Sequence, residues 1–369
     1  MSLVHVWHPL KLQSGWEERY QTNLRSRYFD DPEARGRPLF IPPREAETPI
    51  RDLIPLGNEA VLATHWNWCT LLWRALDNSG IAAYSPQGLK SRVYCSALTP
   101  KQPCLIQGMS DGTIAFMALK EPFQHVPFHV MESKMKSVFR LAVSPDERFL
   151  LATDNSEHVF LYELDLSFLS SPNIGPEEWT MNWPELDVHE VKPNMAVQCL
   201  TFTPDSKYFI SSSHQSKKLV LCDASKGKVV QEKTFDDHLG AAAVMPNGDY
   251  LALDSDSRTR FLELPSLNEM DSIKYAGWES SCTSIALSPD GKYLVTPSYS
   301  MLTLWNLETG KMIGEFQTKP SHDDFGPQSK YPSPKEPVET IAFLPDGKHL
   351  VSGGEMGGLN LWDLSQLIP

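Results

Sequence analysis

The sequence carries two runs of histidine and aspartate that could in principle ligate a metal ion, because imidazole and carboxylate groups are suitable donors when three or more converge. The runs are Asp236-Asp237-His238 and His322-Asp323-Asp324. Consecutive residues seldom converge on one ion, and both runs lie in polar stretches between apolar segments. The sequence therefore predicts solvated turns at both places and no metal site.

Sequence signatures of catalysis and cofactor binding are sparse. The chain contains no G-x-S-x-G, G-x-G-x-x-G, G-x-x-x-x-G-K-[ST] or H-E-x-x-H motif. Gly-Lys pairs end at Lys228 and Lys311, but neither has the glycine-rich loop that would cradle a phosphate. We therefore expect a protein that is not an enzyme, with no catalytic residue and no cofactor, and no small-molecule ligand is indicated.

The most unusual short motif is His65-Trp-Asn-Trp-Cys69, which favours a binding surface. Tryptophan exposed on a turn is costly unless it is covered, and it is enriched among the anchor residues of protein interfaces. Trp66, Asn67 and Trp68 are therefore candidate partner-binding residues. The alternative is that one of the two tryptophans packs beneath residues 9–47 and needs no partner.

Residues 9–47 contain an amphipathic stretch that could serve the same surface. Apolar and aromatic residues recur there every four positions, which predicts a helix with one apolar face. The candidate partner contacts in this stretch are Trp16, Tyr20, Arg25 and Tyr28. The alternative is that the apolar stripe packs on the rest of the protein, since such a stripe usually means burial.

These candidates must be positioned by a repeat that runs along the chain. Seven times a proline, which we expect to lie in a short turn, is followed 16 to 18 residues later by Trp or another apolar residue at one strand position. The pairs are Pro55 and Trp73, Pro100 and Met117, Pro145 and Tyr162, Pro204 and Cys222, Pro246 and Leu262, Pro289 and Trp305, and Pro345 and Trp362. A unit of short strands cannot bury its own faces and must stack on copies of itself, so seven copies predict a seven-bladed ring.

The last two units are the most regular. Each has a Pro-Asp-Gly turn, and their third strands end in Trp305-Asn306 and Trp362-Asp363. The chain thereby resembles the WD-repeat β-propeller family, whose blades end their third strand in Trp-Asp. The resemblance implies an all-β fold: a seven-bladed β-propeller with four antiparallel strands per blade.

The same resemblance implies a structural role for an Asp six residues before the Trp position, where it helps to tie the blade together by hydrogen bonds. Asp111 and Asp256 occupy that position in this chain, and Asn67 is a substitute for it in the first blade. The other blades carry different residues there, and the Gly-His dipeptide typical of the family is absent. The resemblance therefore supports a prediction of the fold more strongly than a prediction of the function.

The two ends of the chain predict how the ring closes. Five residues follow Leu364, too few for a turn and a fourth strand, whereas Leu3 to His8 alternate as a strand does. We expect this N-terminal strand to complete the last blade, which would remove an open edge. The predicted organisation is one domain over residues 1–369, with a clasp at 1–8, an insertion that can form a helix at 9–47, and blades at 48–369.

Three connections are longer than the repeat requires, namely residues 9–47, 166–184 and 319–336. In a four-stranded blade, the connections between blades and the turns between second and third strands emerge on one face, which we call the loop face. The first and third long connections belong to this face and flank the last blade, whereas residues 166–184 belong to the opposite face. Further candidate contacts on the loop face are Trp278, Tyr299 and Met356.

Composition narrows the classes of partner. The formal net charge of −13 disfavours non-specific binding to nucleic acid and to anionic membranes. The N-terminus lacks the features of a secretory signal, and no apolar run reaches the length of about 18 residues that a membrane helix needs. Six cysteines without a C-x-x-C pair favour a reducing compartment. We expect a cytoplasmic protein, or a nuclear one if the host is eukaryotic, with neither membrane nor nucleic-acid partners.

The combined prediction is a non-catalytic scaffold or adaptor that binds a protein or peptide on the loop face, as a subunit of a larger complex. Two alternatives stay open. One is a propeller enzyme that acts at the mouth of the central channel. The other is a nucleic-acid-associated subunit that uses Lys134, Lys136 and the arginines of residues 9–47, although the cluster of Lys134, Lys136 and Arg140 is a small basic field on an acidic protein.

Overall fold

The computed structural model describes residues 3–6, 49–58, 60–66, 70–74, 79–84, 91–101, 104–119, 129–154, 158–166, 188–191, 197–256, 258–274, 284–318, 337–355 and 357–368. All regular secondary structure in these segments is β-strand, and the strands form seven separate four-stranded antiparallel sheets. Neighbouring inner strands contact one another around a ring. The seven-bladed β-propeller predicted from the repeat is confirmed.

Strands are numbered in chain order, and β1 is Leu3–Val6. In the first six blades, four consecutive strands run from the channel to the rim. Blade 1 comprises β2 (Ile50–Leu56), β3 (Ala60–His65), β4 (Thr70–Arg74) and β5 (Ser79–Tyr84). Blade 2 comprises β6 (Val93–Leu98), β7 (Cys104–Met109), β8 (Thr113–Ala118) and β9 (His129–Glu132). Blade 3 comprises β10 (Arg140–Val143), β11 (Phe149–Thr153), β12 (Val159–Glu163) and β13 (Val188–Val191).

The next three blades follow the same order. Blade 4 comprises β14 (Cys199–Phe202), β15 (Tyr208–Ser213), β16 (Lys218–Asp223) and β17 (Lys228–Thr234). Blade 5 comprises β18 (Leu239–Val244), β19 (Tyr250–Ser255), β20 (Arg258–Glu263) and β21 (Glu269–Lys274). Blade 6 comprises β22 (Ala286–Leu287), β23 (Tyr293–Ser298), β24 (Met301–Asn306) and β25 (Lys311–Gln317).

Blade 7 is closed by the N-terminal strand. Its consecutive strands are β26 (Val338–Phe343), β27 (His349–Gly354) and β28 (Leu359–Asp363), and its outer strand is β1. The pairing of β1 with β28 is antiparallel, with Leu3 opposite Trp362 and Val6 opposite Asn360. The predicted clasp is confirmed, with the strand itself at Leu3–Val6.

The repeated proline begins a tight turn on the face opposite the loop face. In six blades it stands two residues after the end of the inner strand. In blade 6, the Gly291 amide donates to the Ser288 carbonyl at 2.9 Å, and Gly291 has a φ of +71°, which glycine adopts without strain. A Cβ at Gly291 would lie 3.4 Å from Cδ of Pro246, the proline of the preceding blade. Proline and glycine of adjacent turns therefore pack together.

Blade 1 departs from this pattern, and the prediction of a turn at Pro55 is wrong. Pro55 lies within β2 and pairs with Val61, and the turn follows at Gly57. An inner strand has one edge free toward the channel, so a proline there need not cost a ladder hydrogen bond.

The apolar core consists of contacts between blades. Seven clusters of buried residues occur in the described part of the chain, and each combines side chains of two adjacent blades. The repeated Trp position always faces the preceding blade: Trp73 packs with blade 7, Trp305 with blade 5 and Trp362 with blade 6. The residue that revealed the repeat is thus the one that joins each blade to the previous one.

Polar side chains fix the second and third strands of several blades. The indole nitrogens of Trp305 and Trp362 donate to the hydroxyls of Thr296 and Ser352 at 2.9 and 3.0 Å. Asp256 accepts from the His238 amide at 3.2 Å and so ties its turn to the connection that enters blade 5. The structural role that the resemblance implied for Asp256 is present.

Asp111 takes the equivalent place in blade 2. Its carboxylate accepts from the Thr113 amide and hydroxyl at 3.1 and 2.7 Å, and the preceding Ser110 amide donates to the Arg92 carbonyl in the connection that enters the blade at 2.8 Å. The long connections fall where the repeat placed them, between β1 and β2, β12 and β13, and β25 and β26. Their inner parts lie outside the described residues.

The histidine and aspartate runs have different surroundings. Asp237 forms ion pairs with Arg258 at 3.2 Å and with Arg260, and the His238 ring stacks on His214 with a centroid separation of 4.6 Å. Within the described residues no group of three or more His, Cys, Asp or Glu side chains could hold a metal ion. His322-Asp323-Asp324 lies outside them.

Deletion of residues 1–8 should weaken the whole ring, because it leaves the backbone of β28 unpaired along one edge. We expect a loss of at least about 2 kcal/mol in unfolding free energy and concentration-dependent association through the open edge. Urea unfolding and light scattering measure these effects. A synthetic peptide of residues 1–8 should restore both properties when it is added to the truncated protein, and unchanged stability without it would contradict the assigned clasp.

His129 should make stability depend on pH. Burial lowers the pKa of His129 to about 4. An unfolded histidine titrates near about 6.5, so the unfolded chain binds the proton more tightly and stability falls as the pH drops through this interval. His129→Gln should remove about 1 kcal/mol of the unfolding free energy that is lost on acidification, a small amount because the ring is partly solvated. Urea unfolding at about pH 7.5 and about pH 5 measures this difference. His189→Gln, on a half-exposed ring, should leave the loss unchanged.

Candidate partner-binding face

Two of the ten predicted contact residues lie in the described part of the chain, and both are on the loop face. Trp66 follows β3 in the turn between second and third strands of blade 1, and Tyr299 occupies the equivalent turn of blade 6. Blade 7 separates the two turns. The residues outside the described segments are Trp16, Tyr20, Arg25, Tyr28, Asn67, Trp68, Trp278 and Met356.

Tyr299 is available to a partner. Its side chain is 52% exposed, and its backbone adopts a φ of +51°, which is uncommon for an aromatic residue. The Tyr299 carbonyl accepts from the Val338 amide at 2.8 Å, so the strained turn is tied to the first residue of β26. The turn is therefore held in place by the next blade.

Trp66 is half-buried and lies against a charged and an aromatic side chain. Its amide donates to the Pro49 carbonyl at 2.9 Å, which joins the turn to the entry of β2. The Arg51 guanidinium carbon lies 4.5 Å from the centroid of the indole, within the range of a cation–π interaction. The ring of Tyr94 meets the indole edge-on at 5.8 Å. Trp66 thus offers part of its surface rather than the whole ring.

Arg51 also joins the first blade to the last. Its Nη1 lies 3.3 Å from Oε2 of Glu339 on β26, and both side chains are about four-fifths buried. Burial raises the pKa of Glu339, Arg51 opposes this, and the neighbouring Glu355 reinforces it. Burial likewise lowers the pKa of Arg51. The pair is a largely buried ion pair at the point of ring closure.

Aromatic side chains continue from Trp66 across two further blades. The rings of Tyr94 and Phe139 are 5.1 Å apart, and both are half-buried. Tyr94 lies at the start of β6, and Phe139 immediately precedes β10. Trp66, Tyr94 and Phe139 form what we call the aromatic strip, which runs along the channel mouth on the loop face through blades 1, 2 and 3.

A buried polar network supports the strip from below. Asp52 accepts from the Ser96 amide at 2.8 Å, the hydroxyls of Ser96 and Thr70 are 2.8 Å apart, and the Gln107 amide donates to Thr70 at 2.8 Å. Burial raises the pKa of Asp52. These bonds join blade 1 to blade 2, and one of them links β2 with β6, the strand that carries Tyr94.

Sequence reasoning found Trp66 but missed most of its surroundings. Tyr94, Phe139 and Glu339 each stand six residues before a repeated proline, namely Pro100, Pro145 and Pro345. That position of the repeat is where each inner strand begins at the mouth of the channel. Comparing the seven units at this one position would have identified the three residues together.

The fold and the repeat define the class of protein as a β-propeller. Two of the repeats, at residues 272–306 and 325–363, match the family described as WD40, "WD domain, G-beta repeat". The chain is therefore a seven-bladed β-propeller that carries WD40 repeats in its last two blades, where the third strands end in Trp305-Asn306 and Trp362-Asp363.

The chain is similar to proteins of several organisms. It is 26% identical over 178 residues to Pre-mRNA-processing factor 17 of Homo sapiens and of Mus musculus, covering 45% of this chain and 28% of the relative. It is 24% identical over 248 residues to WD repeat-containing protein WDS homolog of Arabidopsis thaliana, covering 65% of this chain and 41% of the relative. The chain thus spans less than half the length of these relatives.

One solved structure shows the same architecture. A chain in "Crystal Structure of Mitotic Checkpoint Complex" superposes with a TM-score of 0.65 over 85% of this chain and 86% of its own length, at 14% identity. At this identity the similarity concerns the fold alone. No helix of the described residues is long and apolar enough to span a bilayer.

Arg51→Met should destabilise the ring at its closure. We expect a loss of about 1–2 kcal/mol in unfolding free energy, because the change removes the cation–π contact with Trp66 and leaves the Glu339 carboxylate half-buried without Arg51. The loss should be at least about 0.5 kcal/mol smaller in a Glu339→Gln background, as a double-mutant cycle measures. Arg92→Met, at an exposed arginine of the same face, should change stability by less than about 0.5 kcal/mol. If the effects of Arg51→Met and Glu339→Gln on the unfolding free energy are strictly additive, the ion pair does not contribute to stability.

Proposed function

We propose that the protein is a non-catalytic scaffold that binds a protein partner on its loop face, with the aromatic strip at the centre of the contact and Tyr299 at its margin. The observation that carries the proposal is a row of half-exposed aromatic rings that contact one another across three adjacent blades, two of which are joined by a hydrogen-bond network. Aromatic side chains on a rigid support are the commonest anchors of protein interfaces, because they bury much apolar area at little entropic cost.

Residues outside the described segments belong to the same proposal. Asn67 and Trp68 follow Trp66 in the sequence, and Met356 falls between β27 and β28. Trp278 precedes blade 6. The stretch with Trp16, Tyr20, Arg25 and Tyr28 falls between β1 and β2 in the sequence. We propose these residues as further contacts with the partner.

Similarity to known proteins supports a role inside a larger assembly. The matched family is widely used for protein association, and the relatives carry names of a pre-mRNA-processing factor and of a WD-repeat protein. By analogy we propose that this chain is a subunit of a multiprotein complex. The name of the first relative favours the nucleus over the cytoplasm that the sequence alone predicted, and we propose a nuclear location if the host is eukaryotic.

Trp66→Ala should reduce the affinity for the partner at least tenfold, the effect of losing one anchor residue of about 1.4 kcal/mol or more. Proteins that copurify with the tagged full chain from its native host are identified by mass spectrometry, and the affinity of the purified partner is then measured by calorimetry. Tyr299→Ser should give a smaller loss. Met312→Ser is the matched control, because Met312 is 50% exposed in the same blade but lies on the outer strand.

Thermal unfolding of each variant separates loss of binding from loss of fold. A partner that is retained equally by Trp66→Ala and wild type would show that the loop face is not the binding surface. Loss of the partner through Met312→Ser alone would place the contact on the rim.

A further inference from the structure

Arg140 is a positioned guanidinium whose hydrogen-bonding capacity is only partly used. It is the first residue of β10, half-buried at the channel mouth. Its Nε donates to the Gln198 carbonyl in blade 4 at 3.1 Å, and its Nη1 donates to the Phe139 carbonyl at 3.1 Å. A guanidinium carries five N–H donors in a fixed fork, so three remain for a further group.

No carboxylate of the described residues forms an ion pair with Arg140. Asp52 and Glu339 are close enough for Arg140 to lower their pKa values against the raising effect of burial. Both are engaged elsewhere, since Asp52 accepts from the Ser96 amide and Glu339 pairs with Arg51. The mouth therefore holds a cation fixed by backbone carbonyls, with donors left for an anionic group.

The aromatic strip begins directly beside this cation. Phe139 precedes Arg140 in the chain, and the centroids of Tyr94 and Trp66 follow at successive steps of 5.1 and 5.8 Å. Alternate side chains of an extended peptide project to the same side and are separated by about 6.6 Å. The steps of the strip are close to this spacing, so an extended segment could place successive same-side residues along it.

We propose, as a refinement that rests on the proposed function, that the docking segment is an acidic peptide whose carboxylate is bound by the free donors of Arg140. Apolar side chains two and four residues from the carboxylate lie on the aromatic strip. A bidentate contact between guanidinium and carboxylate fixes the direction of the segment, and the apolar side chains supply buried area. Arg51 cannot take the role of Arg140 in the same way, because the carboxylate of Glu339 already neutralises its charge.

The net charge of the protein helps to decide between a peptide and a nucleic acid as the occupant. At −13 the chain repels polyanions over long distances, which disfavours a nucleic acid even though arginine beside stacked aromatic rings would otherwise suit single-stranded RNA. A peptide with a single carboxylate suffers far less repulsion and still gains the local contact. The acidic peptide is therefore favoured over the nucleic acid.

A displayed library of random ten-residue peptides, selected on the full-length protein, tests the proposal. The selected peptides should be enriched in Asp or Glu two residues from an aromatic or large aliphatic residue. Arg140→Gln should remove the preference for the acidic residue and weaken a selected peptide at least tenfold, measured by fluorescence anisotropy. Arg140→Lys should bind with intermediate affinity, because it keeps the charge but loses the fork. Arg92→Gln is the matched control and should bind as wild type does.

Each other outcome counts against the proposal that Arg140 binds an acidic peptide. Selected peptides that are neutral or basic, an acidic preference that survives Arg140→Gln, or a library without enrichment would overturn it. Displacement of a selected peptide by a labelled single-stranded oligouridylate would favour nucleic acid instead. Should Arg140→Gln fail to fold, the affinity of Arg140→Lys decides, and binding equal to wild type would refute the fork. If Trp66→Ala removes all enrichment while Arg140→Gln keeps the acidic preference, the proposed face stands and the assignment of the carboxylate to Arg140 is wrong.

Discussion

Burial between adjacent blades is the constraint on which the whole structure depends. A four-stranded blade has two apolar faces and no partner within its own unit, so each must be covered by a neighbour. The seven clusters of buried side chains meet this requirement, since each lies between two blades. The third-strand position taken by Trp in three blades packs on the preceding blade in all seven, whether the residue is as large as Trp73 or as small as Cys222. The side chain at this position can vary in size because side chains of the preceding blade fill the remaining volume of the interface.

In such a ring, adjacent blades are consecutive in the sequence at every interface except the one between blades 7 and 1. Three features of the structure meet there. The strand β1 completes blade 7, Gly353 lets Ile50 approach so closely that a Cβ would lie 2.7 Å from its Cγ2, and Arg51 reaches Glu339. Arg51 also lies on the indole of Trp66. Closure of the ring and presentation of the candidate binding residue therefore share one side chain, so the shape of the mouth depends on the ring being closed.

The fold could be predicted from the sequence because each repeat unit shows the residues that its own turns and its packing on adjacent blades require. Proline at the start of the turn, glycine at positive φ and an apolar third strand are each visible in one unit. Pro55 is the exception, and it fails because proline is also tolerated at the free edge of an inner strand. The site was predicted less completely. Trp66 stood out as an aromatic residue in a turn, but Tyr94 and Phe139 come from units about 45 residues apart, and their meeting depends on the curvature of the ring.

Geometry of this kind also explains how an acidic protein can hold an anionic group. Net charge governs approach over distances beyond the Debye length of about 8 Å, whereas binding is decided by the groups within a few ångströms. At the mouth, Asp52 and Glu339 each have a partner and a pKa raised by burial, while Arg140 is held by two backbone carbonyls that carry no net charge. The local field near Arg140 is therefore set by the guanidinium more than by the total of −13. Repulsion at long range then slows association with any acidic segment, and the contact itself selects the one that fits.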